Sequence, residues 1–184
     1  MLSESLWEKA AAFHGHTCPG LAIGFKACEG AIVELGLDDS YLPVLDEEIV
    51  CVTENDACGV DAVQALLGCT YGKSNLIPRV RGKMAFSFFV RGADKGVRLM
   101  LTAQKREDES REAFQNYLLT TSYEELFSRS VPVYGLPEPA RLFASQKCAI
   151  CGESTAEFGL RVQGGKLVCL DCYDAYKREG LSCL

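Results

Sequence analysis

Two Cys-x-x-Cys pairs near the C-terminus constrain this chain more than any other feature. Cys148-Ala-Ile-Cys151 and Cys169-Leu-Asp-Cys172 are separated by 17 residues. Two residues between thiolates let one tight turn aim both sulfurs at a single ion. Two such turns complete a tetrahedron and leave no position for water, and the spacing falls in the structural zinc range. A rubredoxin-like iron and a pair of disulfides are the competing readings of the same four residues.

The stretch between the pairs supports zinc. Val162-Gln-Gly-Gly-Lys-Leu-Val168 reads as a hairpin on a Gly-Gly turn. Tyr173-Asp-Ala-Tyr-Lys-Arg178 reads as a helix. Knuckle, hairpin and helix together resemble a treble-clef zinc finger. So short a segment builds little core, so the metal is expected to supply its folding free energy. From Lys147 to Leu184 there are five Lys or Arg and five Asp or Glu. That balance gives little pull on nucleic acid, and a docking or dimer-stabilising role is favoured for the tail.

The rest of the chain reads as an ordinary globular domain. Of 184 residues, 48% are hydrophobic and 24% charged, and the formal net charge is −6. This composition excludes a disordered chain, and the acidic balance argues against a nucleic-acid binder. No apolar run approaches the ~20 residues of a membrane span, and no secretory leader is recognisable at the start. A cytoplasmic location is therefore expected, where cysteine pairs mark metal or redox sites more often than disulfides.

Hydrophobic periodicity and punctuation give the element order. Ser5-Leu-Trp-Glu8 is a capping-box pattern opening a short helix that Gly15 ends. A second helix is expected from Pro19 to Leu35, stopped by Gly36, and a third from Gly59 to Leu67, stopped by Gly68. Residues 47–53 read as a strand, and 83–90 with 97–103 as a hairpin. Helices are expected over 105–119 and 122–128. The fold class is α+β: a helix-flanked, largely antiparallel sheet core plus a small treble-clef-like zinc domain. The expected division is a core over 1–135, a linker over 136–146 around Tyr134-Gly-Leu-Pro-Glu-Pro139, and a four-cysteine domain over 147–184.

A second chemical constellation lies near the N-terminus. His14, His16 and Cys18 include both histidines of the chain, beside an expected helix N-terminus. Unpaired backbone N–H groups and the helix dipole favour a thiolate there, and His with Cys suits a borderline-soft metal. Cys58 also precedes an expected helix. Asp61, three residues on, could cap that helix, orient a ligand or accept a proton. Cys69 lies 11 residues past Cys58, roughly 16 Å along a continuous helix, too far to share its ion. Cys28 and Cys51 read as core residues. Gly68-Cys-Thr-Tyr-Gly-Lys-Ser74 mimics a phosphate-binding loop, but it is one residue short and follows a helix, so nucleotide binding is set aside.

Three blocks in order, Phe13-His-Gly-His-Thr-Cys-Pro-Gly20, Asp56-Ala-Cys-Gly-Val-Asp-Ala-Val-Gln64 and Gly68-Cys-Thr-Tyr-Gly-Lys-Ser-Asn75, resemble the E-subunit family of formylmethanofuran dehydrogenase. Some members of that family also carry a C-terminal treble-clef finger. The resemblance implies an α+β core with a metal or active-site-like cluster on His16, Cys18 and Cys58, with His14 nearby. Asp61, Gln64, Cys69, Thr70 and Lys73 match further motif positions. It also implies association with a molybdenum- or tungsten-dependent formylmethanofuran dehydrogenase, the first CO₂-fixing step of methanogenesis.

The functional expectation is a metal-binding accessory protein. It has a core metal site on His14, His16, Cys18 and Cys58, and a structural zinc on Cys148, Cys151, Cys169 and Cys172. The core ion is expected to be a transition metal, with zinc favoured. One alternative is a small metalloenzyme for hydrolytic or carbonyl chemistry, with Asp61 or Lys73 in proton transfer. A thiol redox or electron-transfer protein using Cys18 with Cys58, and a purely structural module, are the others. Expected partners are a second copy of the chain and subunits of a molybdenum or tungsten enzyme, with no nucleic acid and no membrane.

Overall fold

The structure, a computed structural model, describes residues 2–37 and 42–176. The chain divides into two units, Met1–Ala140 and Arg141–Leu184. The first unit is built on a five-stranded sheet in the order β2-β1-β3-β4-β5. Its strands are β1 (Ile49–Thr53), β2 (Leu76–Pro78), β3 (Ala85–Val90), β4 (Lys95–Leu101) and β5 (Phe127–Ser130). Only β1 and β2 run parallel; the other three pairings are antiparallel. The helices are α1 (Glu4–His14), α2 (Pro19–Leu35), α3 (Gly59–Leu67), α4 (Arg111–Thr120) and α5 (Tyr123–Leu126). This is the α+β class that the strand and helix signals indicate.

Helix α2 is the axis of the core. Nearly every residue from Leu21 to Ala31 is buried, which fits a helix that is apolar almost all round. It packs on α3, α4, β3 and β4. The sheet offers it Cys51, Phe86, Phe88, Val97 and Leu99, which share one face by strand register. Two charged residues are buried within α2. Lys26 donates to both carboxylate oxygens of Glu29 at 3.0 Å, and the Leu2 amide donates to the same carboxylate at 3.2 Å. Paired in this way, neither charge is left uncompensated.

The opposite face of the sheet carries Val50, Val52 and Phe89, covered by Ile77 and Tyr134. The chain after Tyr134 is also held. Arg91 donates to the carbonyls of Pro137 and Glu138 and pairs with Glu47 at 2.8 Å. Glu47 in turn accepts from the Ala140 amide. The first half of the segment expected as a linker therefore lies bonded on the core unit.

Several boundaries differ from the sequence expectation for local reasons. The first helix starts at Glu4 with Ser3 as its N-cap, so Ser5 sits inside it. The fourth starts at Arg111, because Ser110 caps it by accepting from the Ala113 amide. The expected helix over 122–128 is only one turn, and Phe127 leaves it to pair with Leu101 as β5. Strand β2 has no counterpart among the sequence expectations; three residues carry too little pattern to register.

The second unit holds two small hairpins. Strand β6 (Ser145–Lys147) pairs with β7 (Ser154–Ala156), and β8 (Leu160–Gln163) with β9 (Lys166–Cys169). Gly164 and Gly165 at the β8–β9 turn both have positive φ, the geometry that a two-residue hairpin of this hand requires. No helix forms over Tyr173–Tyr176; the last two residues of that expected helix lie outside the described residues. None of the helices is long and apolar enough to cross a membrane.

Candidate metal centres

Two groups of residues could hold a metal ion among the described residues: His14 with Cys18 and Cys58, and the four cysteines of the second unit. In each, the ligand atoms all lie within 4.8 Å of one another.

The first group forms where two helix starts meet. Cys18 is the N-cap of α2, in extended conformation, and its sulfur accepts from the Leu21 amide at 3.3 Å. Cys58 stands at the N-cap of α3. Glycines let the two helices approach. A Cβ on Gly24 would overlap the Gly59 carbonyl, and one on Gly59 would lie 3.0 Å from the Gly20 oxygen. A Cβ on Gly20 would sit 3.6 Å from the Cys58 sulfur and 3.8 Å from that of Cys18, so a side chain there would crowd both thiols.

His14, the last residue of α1, completes the group. Its Nε2 is 3.9 Å from the Cys18 sulfur, and its Nδ1 is 2.7 Å from Asp61 Oδ2. The carboxylate assigns the proton to Nδ1 and turns Nε2 toward the sulfurs, the usual way an outer carboxylate orients an imidazole ligand. Gln64 donates to the other Asp61 oxygen at 3.0 Å. Burial raises the Cys58 thiol above its ordinary value, and the adjacent Cys18 raises it further. Two neighbouring sulfurs and an imidazole without a cation between them hold back ionisation; a cation reverses that balance.

His16 is not in this group. It is exposed, and its ring lies against that of His14 with centroids 4.3 Å apart. Lys73 is directed elsewhere, its ammonium donating to the Val44 carbonyl at 3.0 Å. The block around it forms a loop clamp. Buried Asn75 accepts from the Thr70 amide and donates to the carbonyls of Asp46, Ile49 and Gly68. Cys28, Cys51 and Cys69 are sealed in the core with no exposed surface. Burial first, and then neighbouring thiols, push Cys28 and Cys51 well above the ordinary thiol range; burial pushes Cys69 up to about 12.

A cavity of about 440 Å³ opens beside the His14 group. One wall is His14, Cys58, Asp61 and Gln64; the other is Thr53 and Asn55 at the end of β1, with Tyr71 and Pro78 also lining it. Asn55 has a role that its sequence position does not announce. Its side chain donates to the carbonyls of Lys83 and Ala85 and accepts from the Ala57 amide. It thereby fixes the turn that delivers Cys58.

The second group is built from two knuckles. The first, Cys148–Cys151, is enclosed by β6 and β7; the second, Cys169–Cys172, follows β9. The Cys148 sulfur accepts from the amides of Cys169 at 3.3 Å and Ile150 at 3.4 Å. The Cys169, Cys151 and Ile150 amides draw its thiol down to about 6, so a thiolate is favoured before any cation arrives. The Cys151 and Cys169 sulfurs are 3.9 Å apart.

Comparison with known proteins agrees with the three sequence blocks. Residues 13–131 match the family model described as FmdE, molybdenum formylmethanofuran dehydrogenase operon. A crystal structure of an FmdE-like protein of tungsten formylmethanofuran dehydrogenase, from Syntrophus aciditrophicus, superposes with a TM-score of 0.57. It is 26% identical, over 92% of this chain and 90% of that one. A probable S-adenosyl-L-methionine-binding protein of Archaeoglobus fulgidus is 29% identical over 91% of this chain. The chain spans about half the length of that curated relative, 52%. With nearly two thirds of its residues inside the matched model and the His14, Cys58 and Asn75 blocks all within it, the chain belongs to the FmdE family.

Proposed function

We propose that this chain is a metal-binding accessory protein that holds a transition-metal ion on His14, Cys18 and Cys58 and a structural zinc on Cys148, Cys151, Cys169 and Cys172. The observation that carries the reading is the convergence of one imidazole and two thiols, from three separate helix ends, beside a cavity. Three protein ligands leave a fourth position for water or substrate, the pattern of an open zinc site. The geometry suits such an ion. Tetrahedral zinc with ordinary bond lengths sets a nitrogen and a sulfur about 3.6 Å apart, close to the 3.9 Å between His14 and Cys18. Four sulfurs around zinc lie about 3.8 Å apart, against 3.9 Å for Cys151 and Cys169.

An ion at the core position would polarise a bound carbonyl or lower the pKa of a bound water. Asp61 contributes by holding His14, and the cavity by admitting a small molecule. Lys73 has no part in this reading. The proposed partners are a component of a molybdenum or tungsten dehydrogenase and a second copy of the chain. The description of the Archaeoglobus relative makes S-adenosyl-L-methionine a ligand to titrate against the same cavity.

Metal analysis of the full chain tests the reading. Two ions per chain are expected, falling to one in Cys18→Ala and in Cys58→Ala with the tail ion retained. One ion per chain in the wild type, unchanged by either substitution, would leave the core group without a metal role.

A further inference from the structure

The stretch between Asp61 and Asp94 contains no acidic residue and five basic ones, Lys73, Arg79, Arg81, Lys83 and Arg91, in a chain of net charge −6. Three of the five fall in Arg79-Val-Arg-Gly-Lys83, directly after the cavity residue Pro78. The backbone of this segment is fastened to the end of β1. The Arg79 amide donates to the Thr53 carbonyl, and the Arg81 and Lys83 amides donate to that of Glu54. Asn55 binds the Lys83 carbonyl. Thr53 and Asn55 line the cavity, so the basic arch is fixed to the same backbone that forms one cavity wall.

The three cations are exposed, and none takes part in an ion pair among the described residues. The nearby Glu54 carboxylate is already engaged by Arg98 at both oxygens, at 2.6 and 2.9 Å. The acidic groups of the cavity lie toward the other wall, where Asp61 is committed to His14 and Gln64. A ligand thus meets cations at one rim and the His14 group at the far wall. A sphere of the cavity's volume is about 9 Å across, the span of a small metabolite.

We propose that the cavity takes a small molecule bearing an oxyanion group, carboxylate or phosphoryl, and that Arg79, Arg81 and Lys83 hold that group at the rim while its other end faces His14 and Cys58. The overall negative charge repels a long polyanion, whereas a compact anion gains from the local arch. Only the inner end of this arrangement rests on the core-metal reading; the rim subsite stands on the arch itself.

The test uses the full-length protein with cobalt in the core site, titrated with mercaptosuccinate and with the neutral 2-mercaptoethanol. Succinate and inorganic phosphate serve as thiol-free probes followed by calorimetry. Mercaptosuccinate is expected to bind about tenfold more tightly than the neutral thiol, as three modest exposed charge contacts allow. That preference should fall to about twofold or less in R79Q/R81Q/K83Q, and should weaken between about 20 and 300 mM salt. Whichever of succinate and phosphate binds in an arch-dependent way identifies the oxyanion. Equal affinity for the two thiols in the wild type, or a preference that survives the triple substitution, overturns the rim subsite and leaves the metal reading intact. If neither thiol perturbs the cobalt spectrum while succinate or phosphate still binds in an arch-dependent way, the metal reading fails and the rim subsite stands. If none of the four probes binds, the rim subsite is overturned as well.

Discussion

Gly24 of α2 and Gly59 of α3 lie so close that a Cβ on the first would overlap the carbonyl of the second. This crossing brings the starts of two helices, and with them Cys18 and Cys58, to one place. Gly24→Ala therefore has an expected sign opposite to helix propensity. Alanine in a free helix is better than glycine by up to about 1 kcal/mol. Here the forced separation should destabilise the core unit by about 1–3 kcal/mol and reduce metal retention at the core group, with the tail ion unaffected. Urea unfolding and metal analysis of the same sample check both.

Asp61 accepts from His14 and so orients it. Asp61→Asn keeps the size but loses the carboxylate. The affinity of the core group for zinc is expected to fall about 10- to 100-fold, the usual cost of losing such a partner. Competition with a chromophoric chelator measures it. An unchanged affinity would reduce Asp61 to a helix-start carboxylate.

Glu54 and Arg98 give a pH-dependent signature. Arg98 donates to both oxygens of Glu54, and its hydrogen bonds hold the carboxyl below its ordinary 4.5 despite burial. A lowered folded-state pKa means the contribution is complete above the unfolded value and is lost as pH falls through the folded one. Glu54→Gln, which leaves the guanidinium unpaired, should cost about 3–5 kcal/mol at neutral pH. The gap between wild type and variant should stay constant from pH 7 to about 5 and shrink below about 4.5. Denaturant midpoints across that range check the prediction; a gap that widens on acidification would be the wrong sign.

Cys148 accepts two backbone amides and heads the first knuckle. Cys148→Ser should release the tail ion and make the chain after about residue 145 sensitive to protease, since a unit this small folds on its metal. Limited proteolysis with mass readout reports the cut sites. A tail as resistant as the wild type would remove the structural role of the ion.

How much of the fold and the core group is legible in the sequence depends on the kind of signal. Helices α2 and α3 are readable to the residue because proline or cysteine opens them and a left-handed glycine closes them. The hairpin on Gly164 and Gly165 is readable for the same reason. Strand β2 is not, because its place comes from pairing with β1, a tertiary fact. The His-Cys clustering points to the core group, but chain proximity cannot rank the histidines. His14 faces the sulfurs because Asp61, 47 residues away, holds its other nitrogen, and His16 has no such anchor among the described residues. Asn55 and Asn75 organise their loops through buried amide side chains, and an isolated asparagine in a sequence carries no mark of that. Lys73 looks catalytic by its neighbours in sequence and is spent on a backbone carbonyl.

The sealed thiols Cys28, Cys51 and Cys69 make the remaining two cysteines of the core unit chemically conspicuous. In the native protein an alkylating reagent meets Cys58, and behind it Cys18, while the interior three stay silent until the chain unfolds. The rate of native labelling is thus a direct gauge of whether those two sulfurs are already engaged, with a total count after denaturation as its built-in reference.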